Sequence, residues 1–245
     1  FGESAGGASV YTHLGSPTSA GLFHKAIAQS GHYMLWSQPS LAEAETTGQK
    51  LAADLGCAAT DVACMRAAPV SAVLAKQGKT PNAYLPNIDG TNLTESTYLS
   101  IIFGRFNRVP IMQGTTHNEF RLFVATLFEF QGVPVTAENY QSLISSLLSV
   151  DMSTASAIAT YFYPASRFDS PALALSQIGT DSVFACPSRT FARYLSEYAP
   201  TFAYEFGDEN APQDVLPPAS FPYGSYHGAE VQYLLDGFDA APAST

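Results

Sequence analysis

Positive charge is scarce in this sequence. Its 245 residues include 11 Lys and Arg against 21 Asp and Glu, a formal net charge of −10. The basic residues are scattered singly, so no stripe exists to neutralise phosphates or anionic head groups, and nucleic acid and membrane surfaces are poor partners. No apolar run approaches the roughly 18 to 20 residues that cross a bilayer, so no membrane span is expected. Residues 1–7 lack both a starting Met and a basic-then-apolar leader, so they do not read as a natural translation start or a targeting segment. Internal repeats, low-complexity tracts and charge blocks are missing too, which makes a single domain over residues 1–245 the expectation.

Cysteine is also sparse, with three residues. Cys57 and Cys64 lie seven positions apart in a stretch containing Gly56 and Asp61, a spacing that suits a small disulfide-closed loop. Such a loop is worth about 2–3 kcal/mol in the chain-entropy model, and its persistence implies an oxidising compartment; a reduced pair is the alternative. Cys186, in Phe184-Ala185-Cys186-Pro187, has no metal or redox motif around it and is assigned to the core as a small hydrophobe. The Asn92-Leu93-Thr94 sequon adds weight to secretion. No metal and no cofactor are expected.

What the chain does have is apolar content, 46% against 13% charged, enough to bury a sizeable core. Residues 6–14, stopped by Gly15-Ser16-Pro17, read as a buried helix that starts just after Ser4. Residues 25–29 read as a buried strand, and residues 41–55, ending at Gly56, as a helix. Two shorter helices are expected to flank the Cys pair. Residues 108–114 read as a second core strand whose end delivers residues 115–120 into a loop, where α/β proteins keep their sites. Helical patterns cover residues 136–148, 151–162 and 173–195, and residues 201–206 alternate like a strand. The class is therefore α/β. Residues 207–226, dense in Pro, Asp, Ser and Gly, are too long for an idle connection and lead to His227.

Gly2-Glu3-Ser4-Ala5-Gly6 matches the G-x-S-x-G nucleophile elbow, a cramped strand-to-helix turn that lifts a serine hydroxyl into a site. The same turn aims the backbone N–H of Ala5 toward the oxygen that becomes negative during acyl transfer. A Gly- and Ser-rich turn before a helix is the structural alternative. A serine needs a base, and five histidines are present. His13 falls on the helix after the elbow, while His24 and His32 flank a strand and read as surface or turn residues. His117 neighbours the better candidate Glu119. His227 lies between Gly224 and Gly228 in a loop, which suits a base that reaches across a site. The acid that orients such a base falls between Ser and His in α/β-hydrolase chain order, as Glu119 does; Asp89 and Asp181 are rivals in the same order.

Five ordered blocks, FGESAGG, GLFHKAIAQSG, LGCAATDVACMRAAP, NIDG followed by GRFNRVPIMQGTTHNEF, and YHGAEVQYLL, resemble the type-B carboxylesterase and cholinesterase-like family of the α/β-hydrolase superfamily. The resemblance implies Ser4 as nucleophile, Glu119 as acid, His227 as base, and Cys57 and Cys64 as a disulfide pair. It also implies a gorge between sheet and helical loops. Asn118 stands where the family usually has Asp, and Phe120 where Gly is common. Family members are longer, so the fold is expected to be partial, with upstream strands, the Gly-Gly oxyanion loop and later helices absent, and the isolated piece weakly active at best. The implied reaction is hydrolysis of a small-molecule carboxylic ester through an acyl-enzyme, in a secreted protein. The alternatives are a non-catalytic adhesion or binding protein, and a lipase or amide hydrolase on the same scaffold. Trp36, Phe123, Phe128 and Phe130 are read as core aromatics rather than substrate contacts.

Overall fold

A computed structural model of the chain describes residues 1–32, 38–77, 84–213 and 216–235, so Trp36 lies outside the described residues. They divide into two units: residues 1–10, 25–33 and 109–245 form one, and residues 11–24 and 34–108 the other.

The first unit carries the sheet. Its strands are β1 (Gly2–Glu3), β2 (Ala26–Gln29), β3 (Ile111–Thr116) and β4 (Thr201–Phe206), all parallel and ordered β1-β2-β3-β4. The helices are α1 (Ala5–Gly15), α2 (Leu41–Asp54), α3 (Val62–Ala67), α4 (Val70–Lys76), α5 (Thr97–Ile102), α6 (Arg121–Leu127), α7 (Tyr140–Leu148), α8 (Met152–Ala157), α9 (Pro171–Gly179), α10 (Cys186–Ser196) and α11 (Val231–Leu234). A parallel sheet joined by helical crossovers is the α/β architecture the sequence pattern implied.

Residue 2-periodicity splits the sheet into two faces. Ile27, Met112 and Phe202 stand in register across three strands and are exposed, whereas Ala28 and Gln113 are fully buried on the other face. There Gln113 Nε2 donates to the Ser188 carbonyl of α10. The strand at residues 25–29 is thus one-sided rather than buried throughout. The strand expected at residues 108–114 starts later, at Ile111, because Pro110 has no N–H; its carbonyl still accepts from Ala26 N at 3.0 Å. β3 also runs on to Thr116, so the loop begins nearer the acid than expected.

The helix expected over residues 173–195 is interrupted: a π segment, Thr180–Ala185, joins α9 to α10. Residues 158–162, expected to continue a helix, are likewise a π turn after α8. Cys186 opens α10 on its outward side and is exposed, which corrects its assignment to the core. The core of this unit is built instead around Phe120, Val124, Ile144, Leu175, Phe184 and Tyr223.

In the second unit, α2 begins with a capping box in which Ser40 N donates to Glu43 Oε2 at 2.8 Å and Glu43 N donates back to Ser40 Oγ at 3.3 Å. It ends where Gly56 takes φ +79°. Cys57 and Cys64 are joined by a disulfide. Both short helices come after Cys57: α3 carries Cys64 and α4 lies beyond it, so the two do not flank the pair. Among the described residues no helix is long and apolar enough to cross a membrane.

Candidate active site

The site grows from the C-terminal ends of β1, β2 and β3, all within the first unit. After β1 the chain turns through Ser4 at φ +56°, a left-handed conformation that costs an L-residue roughly 1–2 kcal/mol. Ser4 N donates to Gln29 O at 2.8 Å, and Ala8 N donates to Ser4 O at 2.9 Å, so strand register and helix start hold the turn from both sides. The space is small: a Cβ at Gly2 would fall 2.4 Å from the Gly6 carbonyl, and one at Gly7 would fall 2.6 Å from Gln29 O. Gly6 itself has nothing within 4 Å of such a Cβ, so the crowded glycine after the serine is Gly7. Ala5 is the first residue of α1, with its N–H at the helix start.

The structure brings three of the sequence-derived residues into one chain of hydrogen bonds. His227 Nε2 lies 2.7 Å from Ser4 Oγ, and His227 Nδ1 lies 2.5 Å from Glu119 Oε2. Glu119 is fully buried, and its other oxygen accepts from Ser30 Oγ at 2.5 Å and from Thr116 N at 2.8 Å. Two hydrogen bonds, one backbone to backbone and one backbone to side chain, tie the acid's loop to the base's loop: Asn118 N donates to Ser225 O, and Ser225 N donates to Asn118 Oδ1, each at 3.0 Å. Asn118 serves here as an acceptor, a task an Asp in its place would share. Phe120 finds room because Gly179 faces it; a Cβ at Gly179 would fall 2.1 Å from the Phe120 ring. Phe123 and Phe184 flank the imidazole, each ring centre 5.0 Å from that of His227.

The other histidines are elsewhere. His13 Nδ1 meets Ser19 Oγ at 2.9 Å, and His24 is exposed. His32, expected at the surface, is fully buried against Gln113 and the edge of Phe191, and burial lowers its pKa to about 4 despite the bond to Gln113. His117 pairs with Glu205 at an exposed position. Of the rival acids, Asp89 sits in a turn of the second unit, and Asp181 accepts from Tyr163 Oη and Gln177 Nε2.

Sequence reasoning missed a second tier of polar groups. Glu3 Oε1 lies 3.3 Å from His227 Nε2, on the same nitrogen that faces Ser4. Burial pushes the Glu3 carboxyl up to about 7, against the pull of His227. Burial raises Glu230 as well, and Gln29 Nε2 donates to it at 3.0 Å. Burial also works against the His227 imidazolium, yet the hydrogen bond to Glu119 and the charges of Glu119, Glu3 and Glu230 outweigh it and hold its pKa above the ordinary value. Glu3, Ser30 and Glu230 all lie inside the motif blocks, but nothing in spacing shows that a motif carboxylate is buried.

The carboxylesterase family matches residues 1–242. Among curated relatives, cholinesterase 2 of Branchiostoma lanceolatum is 27% identical over 84% of this chain and 67% of its own length. The acetylcholinesterase of Myxine glutinosa is 32% identical over 59% of this chain and 45% of its own, and the crystal protein of Dictyostelium discoideum 28% over 77% and 35%. The chain thus spans between about a third and two thirds of these relatives. Because the match runs from the serine turn past His227 and α11, the chain belongs to the carboxylesterase family.

Proposed function

We propose that the protein hydrolyses small-molecule carboxylic esters, with Ser4 as nucleophile, His227 as base, Glu119 as the acid that orients it, and the Ala5 N–H as one oxyanion donor. The observation that carries this reading is the unbroken chain from Ser4 Oγ through both His227 nitrogens to a fully buried carboxylate. A serine hydroxyl is a weak nucleophile until a base removes its proton, and a base imidazole is useful only in the tautomer that leaves its lone pair on the serine. Glu119, fixed by Ser30 and Thr116, accepts a hydrogen bond from Nδ1–H, which holds the tautomer that leaves the Nε2 lone pair free to accept from Ser4.

In the first half-reaction His227 takes the Ser4 proton as Oγ attacks the ester carbonyl, and the carbonyl oxygen becomes an oxyanion facing the Ala5 N–H. His227 then returns the proton to the departing alcohol. In the second half, water attacks the acyl-serine with the same base, and the carboxylic acid leaves. No step calls for a metal or cofactor. The names of the relatives, cholinesterase and acetylcholinesterase, favour ester hydrolysis over adhesion. The disulfide supports maturation in an oxidising, secretory compartment.

The test is hydrolysis of a short-chain p-nitrophenyl ester by the full-length protein beside folded Ser4→Ala, Glu119→Gln, His227→Ala and His117→Ala variants. The first three should fall toward background while His117→Ala keeps its rate, since its pair is exposed. An inert wild type, or a Ser4→Ala variant with unchanged rate, would sink the esterase reading and favour a binding protein on the same scaffold.

A further inference from the structure

The Asn92 sequon is a motif that ester chemistry does not absorb, and its surroundings are organised. Asp89 gathers the turn: its Oδ1 accepts from the backbone N–H groups of Thr91, Asn92 and Leu93 at 2.9, 2.7 and 3.0 Å. Gly90 N closes the loop onto Leu93 O at 2.9 Å. Side chains along Asn92-Leu93-Thr94 then alternate, with Leu93 3% exposed and anchored inward while Asn92 and Thr94 are both exposed. The two residues that define the sequon therefore face solvent, and the residue between them holds the loop in place.

We propose that Asn92 is N-glycosylated. The donor is a lipid-linked oligosaccharide pyrophosphate. The Asn92 Nδ2 forms a bond to the anomeric carbon, the bond from that carbon to the pyrophosphate breaks, the lipid pyrophosphate leaves, and one amide proton passes to the transferase base. The hydrogen-bond inventory of the folded loop fits the product. Asn92 Nδ2 carries two hydrogens, and among the described residues it donates to one partner, Asp89 Oδ2 at 2.8 Å. Glycosylation consumes one hydrogen and leaves the other for Asp89. Asn92 Oδ1, which accepts from Thr18 Oγ1 at 3.1 Å, is unchanged by the reaction. A bulky, solvated sugar at an exposed turn buries no polar group, so the modified loop keeps the same bonds.

This modification shares with the esterase reading the secretory compartment and none of its chemistry. The experiment uses the full-length protein recovered from the cells that naturally make it. A digest treated with peptide N-glycosidase in heavy-oxygen water should convert Asn92 to a heavy-oxygen Asp, and Thr94→Ala should abolish that conversion while Thr94→Ser retains it. A bare Asn92 in protein whose Cys57 and Cys64 are oxidised would overturn the glycosylation alone. A bare Asn92 with both thiols reduced would overturn it together with the secretory compartment, leaving the ester assay to stand or fall by itself.

Discussion

Ser4 follows β1 and Ser30 follows β2, and both hold left-handed backbone, at φ +56° and +52°. Their strands are parallel neighbours with Glu3 in register with Gln29, so the two serines leave the sheet side by side. Each anchors to the next strand along, Ser4 N on Gln29 O at 2.8 Å and Ser30 N on Gly114 O at 2.9 Å. Their hydroxyls touch opposite ends of one His–Glu pair, Ser4 at His227 and Ser30 at Glu119. What separates them is access: Ser30 is completely buried, while Ser4 is partly open. A nucleophile must meet a carbonyl arriving from outside, whereas a hydroxyl that fixes a buried carboxylate works best away from water, where hydrogen bonds are stronger. Under the proposed esterase reading, equivalent strand-end geometry would thus serve an attacking group at one turn and a support at the other.

The comparison breaks most easily at Ser4. Ser4→Ala should lower kcat for ester hydrolysis by roughly 10,000-fold or more, as removal of a triad nucleophile generally does. Ser30→Ala should cost far less. A hydrogen bond to a carboxylate is worth about 1.5–3 kcal/mol, and the Thr116 N–H remains on the same oxygen, so about tenfold in kcat is expected. The measurement is steady-state kinetics on both variants; equal losses would mean that Ser30 is more than a support.

How much of this was readable beforehand follows from the range of each signal. Local chemistry was legible: the Gly2–Gly6 motif placed the serine turn, Gly56 placed the end of α2, and alternation placed β4 at Thr201–Phe206. Chain order left Glu119 beside its rivals Asp89 and Asp181, the family resemblance implied Glu119 with His227, and the fold brings these two into contact. Signals that depend on packing were not legible. His32 and Cys186 exchanged the environments expected of them, one buried and the other exposed, because each sits where an element turns and its direction is set by tertiary contacts. The helix of residues 173–195 kept its apolar period through a π segment that periodicity averages over. Glu3 received no role from the sequence, because burial of a carboxylate is a property of what surrounds it.

That carboxylate gives a third, smaller way to test the two turns, since Glu3 precedes Ser4 as Gln29 precedes Ser30. The charge of Glu3 helps hold His227 protonated, and His227 must be neutral to act as base. Glu3→Gln should therefore shift the acid limb of the kcat/KM profile to lower pH. Glu3 also links folding to pH. Its pKa is raised on folding to about 7 from 4.5, so its stability contribution is complete below 4.5 and is lost as pH rises toward 7. Thermal melts from pH 4 to 8 should show that loss in the wild type and a flatter response in Glu3→Gln. An acid limb that stays in place would mean that Glu3 and His227 are not coupled.

The smallest effect separates backbone from hydroxyl at Ser30. Ser30→Ala and Ser30→Gly both remove the bond to Glu119 and should lose the same activity. They differ in the left-handed turn, where Ala keeps the steric conflict of an L-residue, worth roughly 1–2 kcal/mol, and Gly relieves it at an entropic cost of about 0.5–1 kcal/mol. Ser30→Gly should thus be more stable than Ser30→Ala by about 0.5–1 kcal/mol in denaturant titration, with matching kcat. If the glycine variant is the less stable, the left-handed turn after β2 is not strained, and the kinship drawn between the two serines reduces to their shared contact with the His–Glu pair.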